Sequence, residues 1–223
     1  MKNICIIPAR GGSKRIKNKN IINFMGRPLI YWAINAAHKS KVFDKIYVST
    51  DSEKISKIIN KYKVDILKRS KTTSDDKATI HDVIRETILK LDLKKTVNIC
   101  CLLPTAVLVD HKMINFGFRT LKNNKKKFII PVCKFSYPPQ RGLYLKDGLI
   151  KMINNKNFKK NSQSFKSIYH DAGQFTWGTS RSFLNIDNPF NKKSIGIILN
   201  ESNVQDIDNF EDLKIARMKF KNI

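Results

Sequence analysis

IIPARGGSKRIKNKN, residues 6–20, joins an apolar run to a loop that holds two adjacent glycines and five basic side chains. The apolar residues 2–8 are predicted to form a strand, so this loop follows the carboxyl end of a first strand. Adjacent glycines let backbone N–H groups turn toward an anion, and the basic side chains surround it with positive charge. Ligands of open α/β sheets bind at this end of the strands. The stretch therefore predicts a polyphosphate-binding loop at the edge of an α/β sheet.

Two well-known phosphate-binding loops do not fit these residues. The P-loop requires the spacing G-x-x-x-x-G-K-[ST] and the dinucleotide fingerprint requires G-x-G-x-x-G, and the loop contains neither. The remaining alternative is a basic surface loop that merely follows a strand. Because a solvated loop needs no ordered set of glycines and cations, we favour the binding interpretation.

Strand and helix patterns alternate outward from this loop. Further strands are predicted at residues 45–50, 64–69, 98–104, 128–135 and 194–200. Helices are predicted from Pro28 at the first helical position, at 52–62, at 79–91, from the cap Asp110 to 123, and from the cap Asp208 over 209–220. Repeated βα units predict an α/β fold with a doubly wound, mainly parallel, Rossmann-like sheet.

The alternation stops after residue 135. Residues 141–153 are predicted to form a β-hairpin that turns on Lys146-Asp147-Gly148, and residues 154–167 are polar without clear periodicity. We interpret about 135–167 as an insertion into one domain that spans residues 1–223.

The charge of the chain raises the question of nucleic-acid binding. Its 223 residues include 43 Lys and Arg against 18 Asp and Glu, a formal net charge of +25. The lysines are scattered, however, and the longest basic run is Lys125-Lys126-Lys127, whereas nucleic-acid surfaces favour clustered arginines with aromatic platforms. We therefore expect no specific nucleic-acid partner, and a Lys-rich nucleic-acid-binding protein is the remote alternative.

The cysteines and the apolar runs indicate the cellular compartment of the protein. Cys5, Cys100, Cys101 and Cys133 lack the spacing of a metal site, and we expect buried free thiols in a cytoplasmic protein. The longest apolar stretch is interrupted by Pro104, so no membrane span is expected. The N-terminal apolar run ends in a basic loop, which argues against a signal peptide.

Two aspartates near the end of the chain are candidate metal ligands. Asp206 and Asp208 are two residues apart, so in an extended chain their side chains point the same way. Paired carboxylates completed by phosphate oxygens suit Mg²⁺. Alternatively, Asp208 is only the N-cap of the last helix, which would leave Asp206 without a role. For residues 49–51, Ser-Thr-Asp, a ligand role and the start of the next helix both remain open.

The loop resembles a known signature. Its pattern, apolar-P-A-R-G-G-S-K-R-x-x-x-K-N, is similar to that of the cytidylyltransferases that activate sialic-acid-like sugars with CTP, and it matches at every fixed position. Similar short motifs at 49–51, 104–105 and 206–208 extend the resemblance over nearly the whole chain. The resemblance implies an enzyme that uses CTP, an acid sugar and Mg²⁺. It also implies a homodimer in which the insertion of one subunit reaches the other's site.

The same resemblance implies roles for individual residues. Arg10 and Lys19 would be catalytic contacts of the triphosphate, Asn20 would lie against the cytosine, and Asp206 and Asp208 would bind Mg²⁺. The implied nucleotide-binding residues are Ala9, Arg10, Gly11, Gly12, Ser13, Lys14, Lys19, Asn20, Arg69, Asp76 and Thr79. The implied sugar-binding residues are Thr105, Asp171 and Gln174.

Residues 171–178, D-A-G-Q-F-T-W-G, resemble a segment of the pseudaminic acid subgroup of this family. The chain also carries Leu103 where the sialic acid enzymes carry a Gln that belongs to the sugar pocket. Both features favour pseudaminic acid as the sugar, with CMP-legionaminate or CMP-N-acetylneuraminate synthesis as the alternative. Phe175 and Trp177 point the same way in a strand, and we expect them to fill the core rather than to contact the sugar.

Overall fold

The computed structural model describes residues 1–93, 95–124, 127–186 and 188–222. The strands are β1 (Asn3–Pro8), β2 (Asn23–Phe24), β3 (Arg27–Pro28), β4 (Lys45–Thr50), β5 (Asp65–Lys68), β6 (Asn98–Leu102), β7 (Phe128–Lys134), β8 (Leu143–Lys146), β9 (Leu149–Met152), β10 (Tyr169–Asp171), β11 (Phe175–Thr179) and β12 (Ser194–Leu199). The helices are α1 (Leu29–Ser40), α2 (Glu53–Ile59), α3 (Lys71–Ser74), α4 (Ile80–Lys90), α5 (His111–Asn123), α6 (Ser180–Asn185) and α7 (Phe210–Phe220).

Eight strands form one mixed sheet in the order β10-β7-β11-β6-β1-β4-β5, with β12 also paired to β7. β1 is parallel to β4 and β6, β4 is parallel to β5, and β12 is parallel to β7. β11 is antiparallel to both β6 and β7, and β10 is antiparallel to β7. β10 and β11 are therefore the reversed strands of this sheet among the described residues, and the prediction of a mainly parallel sheet is confirmed.

Helices cover both faces of the sheet. Alternate residues of β1 enter two different apolar clusters, Ile7 on one face and Ile6 on the other. The first cluster includes Ile30 of α1 and Ile114 of α5, whereas the second includes Ile84 of α4. Strands that are covered on both sides are near-continuous apolar runs, which explains the sequence of β6. The predicted doubly wound α/β fold is confirmed.

Most element ends lie within two residues of the predicted ends, and a 3₁₀ turn continues α2 to Tyr62. Two helix starts need correction. Pro28 pairs in β3 and precedes α1 as its cap, instead of occupying the first helical position. Asn209 rather than Asp208 caps α7, because the Asn209 side chain accepts from the Asp212 N–H while the Asp212 carboxylate accepts from the Asn209 N–H.

β8 and β9 form the predicted hairpin, which is a two-stranded sheet separate from the main one. Asp147 and Gly148 have φ angles of 51° and 77°, the left-handed conformation that a two-residue type I′ turn requires. The apolar side chains Leu145, Leu149 and Ile150 are 73%, 76% and 70% exposed. Leu145 lies opposite Ile150 in the hairpin, so these two apolar side chains share one face, whereas Leu149 lies opposite Lys146 on the other face.

The four cysteines are free and buried, as predicted. Within the described ranges, no helix has both the length and the apolar character needed to cross a bilayer. Of the predicted basic run, Lys125 and Lys126 lie outside the described residues.

Candidate active site

The carboxyl ends of β1, β4, β5 and β6 meet at one edge of the sheet because these strands are parallel. A cavity of about 550 Å³ opens at this edge, and we call it the first cavity. Its lining consists of Pro8, Arg10, Ser13, Lys14, Arg15, Ile16, Lys19, Asn20, Arg69, Thr73, Asp75, Asp76, Ala78, Ile80, Val83, Leu103, Pro104, Thr105, Asp206 and Asp208.

Arg10 and Lys14 enter the first cavity from the loop after β1, and both pair with Asp76. Arg10 Nη1 lies 2.8 Å from Asp76 Oδ1, and Lys14 Nζ contacts Oδ2 of the same carboxylate. The hydrogen bond from Lys14 is the main reason that the pKa of Asp76 is lowered, and Arg10 lowers it further. Two predicted contacts of the triphosphate are thus paired with a carboxylate of the protein itself.

Lys19 and Arg15 pair with a second carboxylate, that of Asp208. Lys19 Nζ donates to Ile207 O over 2.6 Å and lies 3.3 Å from Asp208 Oδ1. Arg15 Nη2 lies 3.0 Å from the same oxygen. Arg15 is not among the predicted site residues, because no local pattern links residue 15 to residue 208.

Gly11 and Gly12 have different surroundings. The Gly11 N–H donates to Asp51 Oδ1 over 2.8 Å, and a Cβ added at Gly11 would lie 2.8 Å from Ser52 Cβ. Glycine is therefore required where the loop passes the start of α2. At Gly12 an added Cβ would meet open space. The Gly11 N–H therefore donates to a carboxylate of the chain, and contact of Gly11 with the nucleotide stays a prediction.

Asp51 supports the loop after β1 instead of capping α2. The cap of α2 is Ser52, whose side chain accepts from the Ile55 N–H. The carboxylate of Asp51 accepts from Gly11, which comes 40 residues earlier in the chain. The Ser-Thr-Asp motif is visible in the sequence, but the contact of Asp51 with Gly11 follows only from the pairing of β1 with β4.

Two buried polar side chains lie in the wall of the first cavity. Asn20 is 5% exposed and donates to Arg10 O over 2.9 Å, which fixes the loop. Arg69 is 6% exposed; its Nη2 donates to Ser49 O over 3.2 Å, and its Nε has no hydrogen-bond partner among the described residues. Burial lowers the pKa of Arg69, and the charge of Arg10 acts in the same direction. A buried cation with an unused donor favours a ligand that supplies the acceptor.

The segment that carries Asp76 is attached to α4 at both ends. Glu86 of α4 accepts from the Ser70 N–H over 2.9 Å. Thr79 caps α4 through reciprocal hydrogen bonds with Asp82, the third residue of the helix. Sequence reasoning missed Glu86, because a helical glutamate with a distant backbone partner has no distinctive local pattern.

A second cavity of about 330 Å³ adjoins the first and shares Ile80 and Leu103 with it. It is lined by Thr79, Ile80, His81, Ile84, Cys101, Leu103, Asp171, Gly173, Gln174, Phe175, Thr176, Phe183, Asn188, Pro189 and Phe190. Apolar side chains with a few polar groups among them are typical of sites for small organic molecules.

Asp171 and Gln174 flank a break between β10 and β11, and both line the second cavity. Gly173 at the break has a φ of 62°, a conformation that glycine adopts readily, and its N–H donates to Asp171 Oδ1 over 3.0 Å. Gln174 is 4% exposed and donates to Asn203 O over 2.6 Å. Partial loss of water around Asp171 raises the pKa of its carboxyl group.

Asp206 and Asp208 line the first cavity together. Partial desolvation raises the pKa of Asp206, and the negative charge of Asp208 raises it further. Two mutually repelling carboxylates beside a phosphate-binding loop fit Mg²⁺, which takes one or two carboxylates together with phosphate oxygens. Across the described ranges, no group of three or more His, Cys, Asp or Glu side chains is arranged to hold a metal ion.

The first cavity brings together most of the predicted nucleotide-binding residues and both predicted metal ligands. Of the predicted nucleotide-binding residues in the loop after β1, three do not line it: Ala9, Gly11 and Gly12. Thr79 lines the second cavity rather than the first, whereas Thr105, a predicted sugar contact, lines the first. Phe175 and Trp177 are 2% and 0% exposed and fill the core as expected, although Phe175 also reaches the second cavity.

Comparison with known proteins places the chain in a family. The pseudaminic acid cytidylyltransferase of Campylobacter jejuni is 39% identical, over 99% of this chain and 97% of that protein. The N-acylneuraminate cytidylyltransferase of Escherichia coli is 28% identical, over 96% of this chain and 51% of that protein. A solved structure of CMP:2-keto-3-deoxy-manno-octonic acid synthetase with CTP shares the fold, with a TM-score of 0.74 at 12% identity over 100% of this chain and 99% of that one. The family model for cytidylyltransferases matches residues 4–214, and the chain therefore belongs to the cytidylyltransferase family.

Proposed function

We propose that this cytidylyltransferase transfers CMP from CTP to a nonulosonic acid, specifically pseudaminic acid, and releases pyrophosphate. The observation that carries the proposal is a pair of adjoining cavities, one lined by cations and aspartates and the other mainly by apolar groups. Ile80 and Leu103 lie where the two cavities meet. Similarity to a pseudaminic acid cytidylyltransferase over the full length supports the choice of sugar.

The triphosphate binds in the first cavity against Arg10, Lys14 and Lys19. Arg10 stabilises the negative charge that develops at the α-phosphate when the sugar hydroxyl attacks, because its donors are positioned before the reaction. Asn20 and Arg69 supply polar contacts to the rest of the nucleotide. The unused Nε donor of the buried Arg69 supports this assignment.

Asp206 and Asp208 would hold Mg²⁺ together with oxygens of the triphosphate. When bound, the ion supplies positive charge that neutralises the phosphates. Lys19 donates to the backbone between these two aspartates and also pairs with Asp208, so it joins the carboxylates to the phosphate-binding loop.

The sugar binds in the second cavity with its anomeric hydroxyl toward the first. Asp171 accepts hydrogen bonds from hydroxyl or acetamido N–H groups, while Gln174, held by its bond to Asn203, supplies an oriented amide. The apolar side chains at Leu103, Phe183 and Phe190 suit a sugar that ends in a methyl group instead of a hydroxyl. Pseudaminic acid meets this requirement at C9, and N-acetylneuraminate does not.

The functional unit is a cytoplasmic homodimer that uses the β8–β9 hairpin as its contact. The exposed apolar side chains of the hairpin support dimerisation, since a second copy would remove them from water. Four free buried thiols support a reducing compartment.

The proposal is tested by turnover with CTP and a panel of acid sugars, measured as pyrophosphate release. We expect pseudaminate to be used with a higher kcat/KM than legionaminate or N-acetylneuraminate. Faster turnover of N-acetylneuraminate would overturn the choice of sugar, and absence of turnover with every sugar would overturn the reaction.

A variant in the second cavity distinguishes the binding of the sugar from the binding of the nucleotide. Gln174→Ala should raise the sugar KM or lower kcat while the affinity for CTP changes little, because an unpaired polar group in the sugar site opposes binding. Equal losses of sugar and CTP affinity would contradict the assignment of this cavity.

A further inference from the structure

Asp76 contacts two cations that a phosphate ligand of the first cavity would also contact. Its two carboxylate oxygens bind two different cations of the phosphate-binding loop, Arg10 on Oδ1 and Lys14 on Oδ2. A carboxylate that bridges a guanidinium and an ammonium makes the contacts that a phosphate group would make. Arg10 and Lys14 are therefore already engaged by an anion that belongs to the chain.

The segment around Asp76 is suited to a limited movement. Its start is held by Glu86 and its end by the Thr79 cap of α4, so the two ends keep their places on the helix. Between the ends, the Asp76 side chain is 43% exposed and the Lys14 side chain is 78% exposed. Departure of the carboxylate from the cations thus requires no disruption of the core.

We propose that Asp76 is an internal competitor for the phosphate site, which holds Arg10 and Lys14 until a polyphosphate displaces it. The inference rests on the proposed function and changes the role of Asp76 from a contact of the nucleotide to a group that weakens the binding of every anion at these two cations. It acts through the two cations and not on the reacting atoms.

The competitor lowers the affinity of every anion that reaches these two cations. A weakly held anion such as inorganic phosphate then leaves the site empty at ordinary concentrations. A triphosphate tolerates the same penalty because it makes additional contacts in the first cavity, at Lys19 among others. Asp76 therefore raises the concentration that any anion needs to occupy the two cations, and a ligand that also binds the rest of the cavity still reaches it.

The test compares Asp76→Asn with the wild-type enzyme in binding titrations with inorganic pyrophosphate and with CTP, in metal-free buffer at low salt. We expect both ligands to bind about threefold to tenfold more tightly to Asp76→Asn, the scale of one or two exposed ion pairs. Asp75→Asn is the matched control, because Asp75 lines the same cavity and lies in the same segment. We expect a smaller gain for Asp75→Asn, since the pairing is specific to Asp76.

Each other outcome has a definite meaning. Weaker binding of CTP to Asp76→Asn, with pyrophosphate unchanged, would make Asp76 a contact of the nucleoside and overturn the competitor role. If Asp75→Asn and Asp76→Asn raised the affinity equally, the gain would come from the loss of a negative charge near the cavity. That result would also overturn the competitor role. If the wild-type enzyme binds CTP but neither variant binds more tightly, only this inference fails. If the wild-type enzyme binds neither ligand, the proposed function fails as well.

Discussion

Arg69 differs from the other cations of the first cavity in being almost completely buried, with 6% of its surface exposed. Its Nη2 donates to a backbone carbonyl, while its Nε has no partner within the described part of the chain. Desolvation of a charge opposes folding unless the charge is fully paired. We expect a ligand of the first cavity to supply the missing acceptor.

Arg69→Met keeps most of the side-chain volume and removes the charge. We expect CTP affinity to fall by about 1.5–3 kcal/mol, the value of a hydrogen bond to a charged group. The thermal unfolding midpoint should not fall, because an apolar side chain replaces an incompletely paired buried cation. Titration calorimetry and thermal unfolding measure the two effects, with Arg181→Met on the exposed surface of α6 as the control. Unchanged CTP affinity would remove Arg69 from the nucleotide site.

Asp206→Asn removes one of the two carboxylates while preserving its shape. We expect kcat to fall by about 10²-fold or more, the scale for loss of one preorganised electrostatic group, together with a higher Mg²⁺ requirement. Steady-state turnover over a Mg²⁺ titration measures both. Asp147→Asn is the control, since Asp147 lies in the hairpin turn with a φ of 51° that asparagine also tolerates. A variant with wild-type turnover at limiting Mg²⁺ would exclude Asp206 as a metal ligand.

At the scale of elements, the N-cap of α7 determines whether the Asp208 carboxylate is bound to the helix or free to face the first cavity. Asn209 provides the cap, and its reciprocal bonds with Asp212 satisfy the first N–H groups of the helix. Asp208 thereby remains in the first cavity, where its carboxylate pairs with Arg15 and Lys19. Because the cap is Asn209, the carboxylate of Asp208 is available for the predicted metal site.

Asn209→Ala should lower the free energy of unfolding by about 1 kcal/mol, the typical value of an N-cap side chain. Asp208→Asn should cost less, because the ion pairs it removes are partly exposed to solvent. Urea unfolding followed by circular dichroism measures both variants. The assignment of the cap would be wrong if Asp208→Asn were the more destabilising of the two.

At the scale of the whole molecule, the hairpin is predicted to hold two copies together. Leu149→Lys places a charge at a position that is 76% exposed in one copy, and we expect at least a tenfold rise in the dimer dissociation constant. Sedimentation analysis over a range of concentrations measures it. Leu89→Lys, on α4 at 68% exposure, is the control for an apolar surface residue outside the hairpin. If both variants dimerise like the wild type, the contact lies elsewhere.

The net charge of +25 is predicted to give only salt-sensitive, sequence-independent contact with nucleic acid. Neutralisation of phosphates would be the sole driving force, so the logarithm of the affinity should fall linearly with the logarithm of the salt concentration. Two oligonucleotides of equal length and unrelated sequence should bind alike in such a titration. Tight binding of one of them at physiological salt would reopen the nucleic-acid interpretation.

The sequence by itself was enough for the α/β class, for the parallel strands β1, β4, β5, β6, β7 and β12, and for most limits of the longer helices, but β2, β3, β10, α3 and α6 were not predicted. It also located the loop after β1 and the hairpin turn, and it predicted that Asp206 and Asp208 lie close together. These features depend on short stretches, where alternation, glycine conformations and residue spacing act within a few positions. The family resemblance drew on the same local motifs, and the comparison with known proteins confirmed it.

The tertiary structure alone decided which groups these residues meet. Arg10 and Asp76 are 66 residues apart, and Lys19 and Asp208 are 189 apart. Their contacts exist because β1 lies between β4 and β6 and the loops after parallel strands collect at one edge. The second cavity likewise depends on the antiparallel pairing of β10 with β7 and of β11 with β6. Strand order is set by burial over the whole sheet, a long-range balance that no local pattern encodes.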